Sequence, residues 1–266
     1  MNEPSCPWPS DVSAHRRLCL AADVEQYSRL DTRTQKAVQS DLVRLLDEAA
    51  SLTGLDRAAW TRQPQGDQEF AVLPEATSEA TVLGPFVHHL AARLRVLNAR
   101  PAAPRVRLRL AVDKGVVADA ALGHAGPTPV AVARLVNAPQ LRSVLAALTS
   151  ADLAVIVADR LYQDVVRFGH PGLDPAPYVR AHVRVKDFGG YGWIRVPGHG
   201  PQELRPWVEG AAGPRPAPDP PTPDRATGAA LSQYVHRGVA VGGDVSGGIT
   251  VGLPAHLPPA GPDPAR

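Results

Sequence analysis

Apolar residues crowd into short runs along this chain, and their spacing predicts alternating strands and helices. From Arg17 to Asp23 an apolar strand pattern ends abruptly in a carboxylate. Asp31-Thr32 offers an N-cap, Val38, Leu42, Leu45, Leu46 and Ala49 recur at helical spacing, and Gly54 supplies a stop. Residues 58–63 and 69–73 read as two strands of a hairpin around the turn Gln65-Gly66-Asp67. Leu83, Phe86, Val87, Leu90, Leu94 and Leu97 form one helical stripe, ended by Pro101 and Pro104. Val106, Leu108, Leu110 and Val112 alternate with Arg105, Arg107 and Arg109, which predicts a strand whose basic face is solvated. Residues 116–128 read as a loop, and residues 129–148 as a helix broken near Pro139. The continuous apolar run Leu153–Val157 predicts a strand covered on both faces. Asp159 is expected to cap a helix reaching about Phe168, and two strands, 178–186 and 191–196, to turn at Gly189-Gly190.

The order is β-α-β-β-α-β, followed by α, β, α and a closing hairpin. The first six elements match a ferredoxin-like βαββαβ core, so the fold class expected is α+β with extra C-terminal αβ elements. In that topology the first strand lies beside the hairpin, and Asp23 and Asp67 fall at neighbouring strand ends.

Composition divides the rest. Of 28 prolines, nine lie between Pro197 and Pro223, a density expected to exclude a helix and to form an extended linker. The expected organisation is a loose arm over 1–15, a domain over 16–197, a linker over 198–230, a Gly/Val-rich segment over 231–254 and a disordered end over 255–266. A formal charge of +2 gives no basic footprint for nucleic acid. Two cysteines, Cys6 and Cys19, make no disulfide framework or zinc spacing, which points to a reducing cytoplasm. The start of the chain has no signal-peptide pattern, and no run of 18 apolar residues predicts a membrane span.

Two carboxylates on adjacent strand ends suit two-metal phosphoryl chemistry, and hard oxygen ligands favour Mg²⁺ or Mn²⁺ over zinc. The alternative is that Asp23 caps a strand and Asp67 fills a turn, as aspartates commonly do. Other candidates point elsewhere: His88-His89 to the helix surface, Trp193 to the core and Lys114-Gly115 to a turn. Ser28 lacks a His/Asp pattern that would make it a nucleophile.

The block 17–196 resembles the class III nucleotidyl (adenylate/guanylate) cyclase catalytic domain. The matching pieces are Ala22-Asp-Val-Glu-Gln-Tyr-Ser28 for the first metal motif and Gln63-Pro-Gln-Gly-Asp67 for the Lys-x-x-Gly-Asp motif. Arg109–Val116, Gly126 through Arg134-Leu135, Leu153–Leu161 and Val185-Lys186 follow in the family's order. The resemblance implies a homodimer with sites across its interface. Asp23 and Asp67 of one copy would bind two Mg²⁺ or Mn²⁺ ions, beside Gln63 and Gly66 on the substrate side. Arg134 and Lys186 of the other copy would bind phosphates of a nucleoside triphosphate and stabilise the transition state. The departures fall on substrate and catalysis. The base-selecting lysine is Gln63, the second base-selecting position falls near Gly123, and the transition-state asparagine is Val130.

The segment Tyr234–Gly252 reads as two tiny strands joined by a Gly-Asp…Ser-Gly arch, with disorder as the alternative. It resembles bacterial amyloid signalling motifs similar to the RIP homotypic interaction motif. The resemblance implies a partner protein bearing a matching motif. Two functions follow: a divergent cyclase, or a catalytically inactive cyclase-like dimeric sensor or scaffold that signals through the tail.

Overall fold

A computed structural model of the chain describes residues 15–101, 104–121, 123–170 and 172–210. The expected N-terminal arm up to residue 14, the linker beyond residue 210, the Gly/Val-rich segment and the chain end lie outside the described residues.

The apolar run at the start forms β1 (His15–Val24). Helix α1 (Thr32–Leu52) begins where the Asp31 side chain accepts from the Thr34 amide, the N-cap read from the sequence. It ends on Gly54 at φ 70°, where Leu55 N–H bonds to the Ala50 carbonyl and Gly54 N–H to that of Ser51, a Schellman closure. Strands β2 (Thr61–Gln65) and β3 (Gln68–Val72) make the expected hairpin. Its turn is Gly66-Asp67, with Gly66 at φ 69°, a backbone glycine adopts without steric cost.

The second helical stripe is interrupted. α2 (Glu79–Thr81) runs through a π turn, Val82–Phe86, into α3 (Val87–Asn98). Pro85 has no N–H to give the helix ladder, and the wider turn is the result. β4 (Leu108–Ala120) is longer than the alternation suggested, and β5 (Gly123–Ala125) folds back on it. Most of the expected loop over 116–128 is therefore sheet. α4 (Pro127–Val136) and α5 (Pro139–Ala147) break at Pro139 as read, followed by β6 (Leu153–Ala158).

Asp159 does not cap the next helix but opens it, as the first residue of α6 (Asp159–Leu161), and accepts from Trp193 Nε1 at 2.7 Å. α6 passes into a second π turn, Tyr162–Val166. The closing hairpin is β7 (Val179–Val185) with β8 (Phe188–Arg195), and its turn is Lys186-Asp187 rather than Gly189-Gly190. The proline-rich stretch begins with a helix after all, α7 (Pro201–Gly210). Pro201 sits at its start, where no N–H is needed, and Leu204 and Val208 are buried in the core. That burial outweighs the missing hydrogen bond at Pro206.

The main sheet order is β2-β3-β1-β4-β6-β8-β7, with β5 paired to β4. Its first four strands, β2-β3-β1-β4, pair antiparallel throughout, the ferredoxin-like order expected. α1 and α3 cover one face, burying Leu42, Leu46, Leu90 and Leu94 against Leu18, Leu20, Leu108 and Leu110. α4, α5 and α7 cover the other, where Val132, Leu141 and Leu204 meet Cys19, Ala21 and Ile156.

The arginine row is covered only in part: Arg105 stays exposed, whereas Arg107 and Arg109 are largely buried. Arg107 donates to the carbonyls of Leu145, Leu148 and Ala151, and Arg105 to those of Thr149 and Ala151. These carbonyls lie at and beyond the C-terminus of α5, where partial negative charge collects and cations are favoured.

Candidate functional site

Cross-strand register places the first acid. Gln65, Gln68, Asp23, Arg109 and Ala154 are successive partners across β2, β3, β1, β4 and β6, so they form one row over the sheet. Asp23 is only 5% exposed, and its carboxylate is bound by the guanidinium of Arg109, itself 7% exposed. The Asp67 carbonyl accepts from the Val24 amide at 3.0 Å, which fixes the β2–β3 turn beside the end of β1. The structure thus brings Asp23 and Asp67 together, as strand order alone had suggested. Burial pushes the Asp23 carboxyl up, Arg109 pulls it down, and the nearby charge of Asp67 adds to the upward push.

Gly66 is exposed at the tip of the same turn. Gln63, three residues back in β2, lies directly over Gly123 of β5, and a side chain at 123 would collide with its amide. The two positions tied by resemblance to base choice are therefore neighbours in space, and Gln63 fills the room that Gly123 leaves.

Arg134 and Lys186 form a separate corner. Arg134, in the last turn of α4, reaches Asp187 at 3.5 Å, and Lys186 is exposed beside that aspartate in the β7–β8 turn. Lys186 holds φ 56°, a left-handed backbone uncommon outside glycine. Val130, one turn before Arg134, is 48% exposed and has no polar group to offer. Within one chain Arg134 pairs with Asp187, not with Asp23 or Asp67.

Among the described residues no group of three or more His, Cys, Asp or Glu side chains gathers. Asp23, paired with Arg109, and Asp67 supply two hard carboxylate donors, and Mg²⁺ commonly takes one or two carboxylates and completes its shell with water and substrate phosphates. Two clefts of about 430 Å³ each, one beside Arg57 and one beside Arg195, are lined by none of the six candidate residues. Neither cleft lies at the corner that holds Asp23 and Asp67.

Sequence reading missed Arg109 as the partner of Asp23 and Asp187 as the partner of Arg134. The signal for the first lay in register: the end of one apolar strand faces the start of another. Nothing in the local pattern announced the second.

No helix among the described residues is long and apolar enough to cross a membrane. No protein-family model and no curated protein matches the chain. Among solved structures it is similar to the guanylyl cyclase Cya2, at 12% identity and TM-score 0.50, over 70% of this chain and 92% of that one. It is also similar to an adenylate/guanylate cyclase/hydrolase from Silicibacter pomeroyi, at 20% identity and TM-score 0.48, over 70% and 100% of the two chains. The guanylate cyclase domain of RhGC from Catenaria anguillulae, in complex with GTP, aligns at 16% identity and TM-score 0.45, over 68% and 95%. The mixed α+β fold of this chain is similar to that of the guanylyl cyclase Cya2.

Proposed function

We propose that the chain is a divergent nucleotidyl cyclase-like signalling protein that converts a nucleoside triphosphate to a cyclic nucleotide and pyrophosphate. The observation that supports this most is the meeting of Asp23 and Asp67 at one corner of a ferredoxin-like sheet, tied by the Val24–Asp67 backbone bond. The two carboxylates would hold Mg²⁺ or Mn²⁺, whose charge assists the attacking oxygen and the leaving phosphate. Gln63 and Gly66 lie on the side from which the nucleoside approaches. Arg134 and Lys186 bind phosphate and stabilise charge in the transition state. Their separation from the acidic corner within one chain supports a homodimer in which a second copy supplies them.

The test is to incubate purified protein with Mn²⁺ and each of the four nucleoside triphosphates. Cyclic product is expected from wild type and absent from Asp23→Ala. Calorimetry that finds no triphosphate binding with either ion would remove the catalytic reading.

A second reading is favoured by Val130 and Gly123, which replace the transition-state and base-selecting side chains of the family resembled. In it the domain is an inactive dimeric scaffold, and the tail transmits the signal. A peptide of residues 234–253 is then expected to form thioflavin-positive fibrils, abolished by Val241→Asp. A soluble, unstructured peptide rules out that transmission.

A further inference from the structure

Arg57, Arg107 and Arg109 all have a largely buried guanidinium, and each meets a carboxylate: Glu69, Glu25 and Asp23 respectively. Arg195, at the end of β8, differs. Its Nε is buried without a hydrogen bond, and no carboxylate among the described residues lies within ion-pair distance of it. The side chain is part-buried and its charge is not balanced by a carboxylate, so it offers that charge to an anion.

The surroundings are built to receive one. Arg195 Nη2 donates at 2.7 Å to the carbonyl of Leu83, a residue of the π turn. The guanidinium also lies over the Tyr178 ring, 5.4 Å from its centroid. Tyr178 packs edge-on against Tyr162, and Tyr162 stacks on Trp193 at 3.8 Å, so the arginine rests against a rigid aromatic column. Beside it opens a cleft of about 430 Å³, walled by Gly84, Pro85, Gly172 and the two histidines of α3, His88 and His89. Gly84 lets the opposite wall close in: a Cβ there would sit 3.3 Å from the Gly172 carbonyl and 3.1 Å from Leu173.

We propose that this cleft binds a small phosphate ester. Arg195, His88 and His89 all line this cavity, and a guanidinium fork with two imidazoles can offer several donors to one ligand. A phosphate group has enough acceptor oxygens for such a set, whereas a carboxylate has two. The volume leaves space for an organic group beyond the phosphate. The site lies on the α3 side of the sheet and does not depend on the proposed cyclase reading.

The test uses the full chain and inorganic phosphate as the probe, followed by thermal shift and by phosphorus NMR. Phosphate is expected to stabilise wild type and the surface variant Lys36→Ala alike. The effect is lost in Arg195→Gln. In the double variant His88→Ala/His89→Ala, whose histidines are not part of the core, affinity falls roughly tenfold or more, the scale of a charge-assisted hydrogen bond. Absence of phosphate binding in wild type overturns the proposal, as does equal binding in both cleft variants. Acetate binding as well as phosphate overturns the ligand class.

Discussion

Arg109 and Arg195 stand on strands of the same sheet, and both carry a buried Nε without a hydrogen bond, yet only one meets a carboxylate. Arg109 is opposed in the ladder by Asp23, and the two charges close on each other in a packed row. Arg195 is opposed by Val155, and its charge is met by a single carbonyl, an aromatic face and a cleft. A counter-ion supplied by register closes a structure. One withheld by register leaves a place for a ligand.

The largest effect expected from this contrast is at Arg109. Arg109→Met strands the Asp23 carboxylate in the interior and should cost about 3–5 kcal/mol in denaturant unfolding. The double variant Arg109→Met/Asp23→Leu should recover most of that, because a buried pair replaced by apolar groups is often close to neutral. A double variant as unstable as the single would mean that Asp23 is not what the arginine compensates.

Arg195→Met strands no charge and removes one hydrogen bond from a charged donor, so a smaller loss of roughly 1.5–3 kcal/mol is expected. A loss matching that of Arg109→Met would erase the distinction between the two arginines.

Asp113 is the converse case, a carboxyl held in the structure without an ion pair among the described residues. It faces Cys19 across the ladder, and burial raises it above its ordinary value of 3.8. An acid raised on folding gives its full stability below the ordinary value and loses it as pH rises through the folded value. Asp113→Asn should therefore raise the melting temperature at neutral pH, with a gain that shrinks as pH falls toward 4. A gain independent of pH would show that the charge is not responsible.

The smallest effect is expected at Cys19. It is fully buried, and burial and Asp113 push its thiol up to about 12. In a Cys6→Ser background the folded protein should resist iodoacetamide near pH 8 and react only on denaturation. Reaction in the folded state would indicate that β1 opens.

Much of the fold was legible because its signals are local. The Asp31 cap, the Gly54 stop, the Gly66-Asp67 turn and the break at Pro139 each depend on a few adjacent residues whose stereochemistry allows little else. The alternation around Leu108 and Leu110 likewise marked a strand. It did not show that Arg107 was covered, since that depends on the end of α5, about 40 residues on. α7 was unreadable for the same reason: its prolines speak against a helix, and only the core that receives Leu204 and Val208 reverses the balance.

The candidate site divides along the same line. By itself the sequence determined that Asp23 ends an apolar strand, that Asp67 sits in a hairpin turn, and that the element order is ferredoxin-like. Only the tertiary structure decided that Arg109 neutralises Asp23, that Gln63 covers Gly123, and that Arg134 turns to Asp187. Strand periodicity specifies the face on which a side chain lies. Which charges come to share that face is set by register between strands far apart in sequence, where burial makes each pairing, or its absence, count for kilocalories.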